Sequence, residues 1–126
     1  MEQSSLNFEF LREHDELLAR IGTLAEASLY SDPSNTLAKS RIFAEKTVDR
    51  VYRAFNLPPA FGGTLVDRLN QDSFKSVVPR TVLDKLHTIR IQGNKGAHDV
   101  KANTSTAAAI LREVFDLARW VYVMFW

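Results

Sequence analysis

The residues best suited to chemistry crowd into one stretch, Leu86-His87-Thr88-Ile89-Arg90-Ile91-Gln92-Gly93-Asn94-Lys95-Gly96-Ala97-His98-Asp99. Two readings of its backbone are open. A helix ending at Gly93, a frequent C-cap residue, leaves Asn94 to Asp99 as a loop. A helix running on to His98 bears a cost of about 1 kcal/mol per glycine. It then carries His87, Arg90, Asn94 and His98 at steps of three, four and four residues, which is one face. Leu83 and Leu86 border that face and turn the stripe partly inward. Imidazole and guanidinium groups so placed need acids, carbonyls or a bound anion as partners. On a structural reading, Asn94 caps backbone groups, Ala97 permits close helix packing, and His98 bonds to a neighbouring helix.

A second cluster lies in the middle of the chain. Lys39, Lys46, Arg50 and Arg53 fall within about 60° of one another on a helix. Phe43 lies beside them. Cations with an aromatic suit a phosphate backbone and a stacked base, which makes these five residues candidates for contact with nucleic acid, DNA or RNA. The alternative is a solvated face on which Asp49 pairs with Arg53, one turn on. Phe43 would then be buried under the acidic N-terminal helix. His14, beside Asp15, reads as a local hydrogen-bonding residue. Three histidines without a shared short spacing predict no metal site. No phosphate loop of the G-x-x-x-x-G-K-[ST] type occurs, and no acid cluster has a nuclease-like lysine. No cofactor is expected.

The elements that must position these groups are helical. Leu17, Leu18, Ile21, Leu24, Ala25 and Ser28 recur at helical steps over about Glu13–Tyr30. Asp32 and Pro33 read as the N-cap and first position of a second helix, reaching about Phe55 before Pro58-Pro59. Thr64 caps a short helix over Leu65–Asn70. Phe74, Val77 and Val78 alternate too briefly for a strand. Pro79 opens a helix with Val82, Leu83, Leu86 and Ile89. Thr104 or Ser105 caps the last helix. The expected fold is an all-α bundle of four main helices plus one short helix.

The 126 residues make one domain, 45% hydrophobic and 25% charged, with no cysteine. This excludes a disulfide framework and any Cys-ligated metal. No apolar run is long enough to span a membrane, and the acidic start is no secretory signal. A cytoplasmic protein is expected. Residues 1–32 carry −5 and residues 33–126 carry +6, so the two parts attract. The terminal run Trp120-Val121-Tyr122-Val123-Met124-Phe125-Trp126 is apolar on every helix face. A helix with a water-facing side is not written this way. Either it is central, or Trp120, Val123, Met124 and Trp126 meet a second copy in a homodimer or more of the same polypeptide.

The pattern Leu86-His87-x-Ile89-Arg90-x-x-Gly93-Asn94-Lys95-x-Ala97-His98 resembles a signature of the helical domain near the N-terminus of type I restriction enzyme R subunits. Asn7-Phe8-x-Phe10-Leu11-x-x-His14-Asp15-x-Leu17-Leu18 and Ala38-x-x-Arg41-x-Phe43-Ala44-Glu45 resemble the opening and second helix of the same domain. The resemblance spans Asn7 to Phe125. It implies a HEPN-like bundle, residues 1–126 as the N-terminal part of a longer chain, and a docking role against other subunits or DNA. The nuclease and ATP-driven motor of such subunits are absent from this stretch. Some HEPN-like bundles are ribonucleases, with a catalytic Arg and a His only a few residues further on. That implies a second reading, a metal-free ribonuclease in which His98 moves protons and Arg90 steadies the phosphorane. Seven residues separate Arg90 from His98, so the pattern is not matched. A third reading is a pure protein–protein module.

Overall fold

Helix boundaries fall where side chains replace missing backbone partners. The computed structural model describes residues 7–98 and 102–126, with backbone alone for Ala97 and His98. A 3-10 turn over Glu9–Leu11 precedes α1 (Glu16–Ala27), whose N-cap Asp15 accepts from the Leu18 amide. Asp32 caps α2 (Pro33–Ala54) by accepting from the Asn35 amide, with Pro33 in the first turn. Thr64 and Asp67 form a reciprocal capping box on α3 (Leu65–Asn70). Then come α4 (Asp72–Val77), α5 (Arg80–His98) and α6 (Thr104–Phe125). No strand occurs among the described residues.

The fold class is as expected, with three local differences. Two short helices stand where one was read, because Phe74 anchors a further turn in the core. The cap of α6 is Asn103, which accepts from the Thr106 amide, rather than Thr104 or Ser105. Finally, α1 is shorter than Glu13–Tyr30, because the amides of His14 and Asp15 close back on the Leu11 carbonyl.

The core gathers on α2, against which α1, α5 and α6 all pack. Leu37, Phe43, Ala44, Val48 and Val51 are buried along it, facing Leu18, Leu86, Ile89, Val114 and Leu117. Burying such side chains contributes about 1.5–3 kcal/mol each against the ordering entropy. Several polar groups on the same helix find partners, although Arg41 Nε is buried without one among the described residues. Thr36 Oγ1 donates to the Ala25 carbonyl at 2.8 Å and lies 2.9 Å from Ser28 Oγ, tying the end of α1 to the start of α2. Tyr52 donates to the Arg68 carbonyl at 2.6 Å and stacks on Phe74, holding α3 and α4 to α2. Lys85 reaches Glu113 at 2.7 Å and Asp116 at 3.3 Å, joining α5 to α6.

The question left open at Gly93 is resolved in favour of one helix, because α5 runs through both glycines to His98. A Cβ on Gly93 would stand 2.5 Å from Arg41 Cβ and 3.1 Å from the Leu37 carbonyl oxygen. One on Gly96 would stand 2.5 Å from Leu37 Cβ. The glycines therefore let α5 lie directly on α2, the role the sequence suggested for Ala97. Asn94 sits mid-helix and exposed, so it caps no helix end. In an ordinary helix interior, Gly→Ala stabilises by about 1 kcal/mol. Here Gly93→Ala and Gly96→Ala are each expected to destabilise by about 1–3 kcal/mol, read as a lower urea midpoint. A midpoint unchanged or raised would contradict the close approach.

Asp15 does two jobs. Besides capping α1, it accepts from Arg50 Nε at 2.7 Å and Nη2 at 3.2 Å, and both side chains are largely covered. Burial pushes its carboxyl up. The Arg50 hydrogen bond, the Leu18 amide and the Arg50 charge together outweigh that, leaving it below its ordinary 3.8. A depressed carboxylate adds stability that is complete above the unfolded value and is lost as pH falls through the lower folded value. Asp15→Asn keeps a good cap but loses the ion pair, so it is expected to cost about 1–3 kcal/mol at pH 7. Acid titration of the urea midpoint should be flatter below pH ~4 in the variant than in the wild type.

Candidate functional site

The stripe on α5 divides along its length. His87 and Arg90 are half-buried and adjacent, with Arg90 Nη2 3.4 Å from His87 Nδ1. A guanidinium has only donors, so Nδ1 must accept, which places the ring proton on Nε2. Burial pushes the His87 pKa below its usual 6.5, and the charges of Arg90 and Lys75 push the same way against Asp84. His87 is therefore neutral at pH 7. Arg90 Nε is buried with no hydrogen-bond partner among the described residues. Asn94 is exposed further along, and the His98 side chain lies outside the described residues.

For one catalytic pair, Arg90 and His98 would have to converge. Eight residues of continuous helix put their backbones about 12 Å apart along the axis. Arg90 is also turned toward His87, away from the C-terminal end of α5. The described side chains do not assemble an acid–base centre there.

The α2 cluster does not form a free cationic and aromatic surface. Phe43 is 0% exposed, seated 6.0 Å from the Phe8 ring, and so takes the buried alternative. Arg50 is held by Asp15. Asp49 pairs with Arg68 of α3 rather than with Arg53. Lys39 and Lys46 are half-covered, and Arg53 is exposed. Helical angles place a residue to within a face; they do not reveal which neighbour covers its edge.

The end of α6 is different. Val123 is 80% exposed, Trp126 42%, Met124 39% and Tyr122 38%. Trp120 is half-buried, edge-on to Phe125 at 6.3 Å. The turn before α1 completes this surface. The His14 ring stacks on Trp126 at 5.1 Å and meets Tyr122 edge-on at 5.6 Å, while Phe10 meets Tyr122 at 5.5 Å. His14 is thus an aromatic contact rather than a local hydrogen-bonding residue. Phe10, Phe115, Arg119, Tyr122 and Val123 line an open hollow of about 320 Å³. Such offset and edge-on ring contacts hold the aromatic groups in fixed positions. Phe10, His14, Phe115 and Tyr122 were missed from sequence, because the contact of the first turn with the last helix leaves no periodic signal.

Residues 23–124 match the profile of a domain of unknown function, DUF4145. The chain belongs to the DUF4145 family. Over 117 residues, 92% of its length, this DUF4145 domain is 32% identical to the type I restriction enzyme EcoKI endonuclease subunit of Escherichia coli strain K12. The resemblance read from the Leu86–His98 and Ala38–Glu45 segments is thereby established. The domain spans 10% of that relative's length. No solved structure matches the chain. Among the described residues, no group of three His, Asp or Glu could hold a metal, and no helix is long and apolar enough to cross a membrane.

The half-buried His87 gives a pH signature. Its lowered folded pKa means the unfolded chain takes up the proton first, so stability falls as pH drops through 6.5. His87→Gln should flatten the urea midpoint between pH 7.5 and 5.5 relative to wild type. An equal slope in both proteins would mean that His87 is not desolvated.

Proposed function

We propose that this DUF4145 domain is a docking module of a type I restriction system, acting by contact rather than by catalysis. Its partner is protein, namely another part of a restriction endonuclease subunit or a neighbouring subunit of the assembly. The observation that carries this reading is the exposed Tyr122, Val123, Met124 and Trp126 surface, with its rings braced by His14 and Phe10. Contiguous exposed apolar surface is costly in water and marks a contact area. Pre-braced aromatic side chains are the usual anchors of such contacts, because little rotamer freedom is lost on binding. The relative supplies the kind of partner, since nine-tenths of that restriction subunit lies outside the matched region.

The test is co-purification of the full-length gene product with the restriction subunits of its native cell. Val123→Glu and Trp126→Asp are expected to weaken association about tenfold or more, with unchanged helical circular dichroism. Undiminished association of both variants would overturn the reading. A doubled mass in light scattering with no subunit bound would overturn it in favour of a second copy.

A further inference from the structure

A cationic recess lies at the opposite end of α5 from Gly96. It is an open hollow of about 480 Å³, walled by Asn70 of α3, Lys75 of α4, and Arg80, Asp84 and His87 of α5. Three observations give it a sign. Among the described residues, neither Lys75 nor Arg90 has a carboxylate within ion-pair distance. Arg80 has only a loose partner, Asp84 at 3.6 Å, and both side chains are largely exposed. Such a pair is worth little in water and yields readily to a stronger anion. The first turn of α5 adds the positive end of a long helix and carries no acidic residue.

The geometry at His87 sharpens the chemistry. Arg90 occupies Nδ1, so the free edge of the ring carries an N–H donor. The ring is neutral at pH 7 and lines the recess as a hydrogen-bond donor without adding charge. Behind it, Arg90 supplies a fixed cation whose buried Nε lacks a partner. Lys75 and Arg80 stand at the rim, where ammonium and guanidinium groups meet anions while staying solvated. A tetrahedral oxyanion with several acceptor oxygens fits this set better than a carboxylate, which offers only two.

We propose that this recess between α4 and the start of α5 binds a phosphate group through Lys75, Arg80 and the Nε2–H of His87, with Arg90 positioning the ring. The proposal is independent of the α6 surface, which lies on other residues. The phosphate has two sources, a free phosphate or a phosphodiester of nucleic acid, and the experiment separates them. Isotope-labelled protein is titrated with sodium phosphate and, separately, with a short DNA duplex, following the amide signals of α4 and α5. Free phosphate as ligand predicts saturable shifts near Arg80 and His87 at millimolar phosphate. A nucleic-acid phosphate predicts shifts there with the duplex alone. In either case, Lys75→Gln with Arg80→Gln is expected to weaken binding about tenfold or more, and both positions are exposed, so the fold should be kept. With the duplex, the same double variant should lower the slope of log affinity against log salt by about two. His87→Gln, which retains an N–H donor, should bind more tightly than His87→Leu. Absence of saturable shifts with both probes, or wild-type affinity in the double variant, would overturn the proposal.

Discussion

Everything in this bundle leans on the line where α5 lies against α2. Leu37 and Arg41 occupy the space that a Cβ on Gly93 or Gly96 would need, so the two helices touch backbone to side-chain root. Two glycines inside a helix carry a propensity cost of about 2 kcal/mol. Dispersion contacts along the shortened distance, together with burial of Leu37, Leu86 and Ile89, offset it. Because α2 also receives α1 and α6, a shift of this line would propagate to every other helix pair. Close packing of this kind transmits displacement instead of absorbing it.

The α5 helix therefore serves two ends of the molecule with different chemistry. Its C-terminal half is smooth and glycine-bearing and is used for packing. Its N-terminal half carries Arg80, Asp84 and His87 and borders a recess, with Arg90 just beyond, beside His87. The last helix shows a comparable division. Ala107, Ile110, Val114 and Leu117 disappear into the core, while its final turn presents aromatic groups outward. In both cases a rigid helix carries surface groups whose positions are set by the core beneath them, which suits recognition by contact.

Much of the architecture was legible because helix ends are local. Asp32-Pro33 and Thr64 with Asp67 announce their caps in the order of the residues, and the apolar spacing between them has one interpretation. What escaped was tertiary. Gly93 locally allows either a stop or a continuing helix, and only Leu37 and Arg41 on another helix explain why the chain continues. Asp49 has a suitable partner in Arg53 one turn away, yet Arg68 from α3 takes it. Phe43 borders a cationic stripe by angle, and the Phe8 ring covers it. The functional surfaces were half legible for the same reason. His87 and Arg90 are neighbours on one helix, whereas Lys75 joins them from another, and Phe10 and His14 reach α6 from the far end of the chain.

That last contact bears on how the protein is made. Phe8 and Phe10 rest on Phe115, and His14 rests on Trp126, so the opening turn is seated by the closing helix. A ribosome releases the opening turn first and the closing helix last. Until α6 emerges, Phe10 and His14 lack these partners, whereas Phe8 already has Phe43 of α2 to pack against. The Phe10–Phe115 and His14–Trp126 contacts span most of the chain, so they carry a large loop-closure entropy. Until they form, the nascent chain displays the same aromatic groups that later brace its contact surface, making that interval the one in which a chaperone would be most useful.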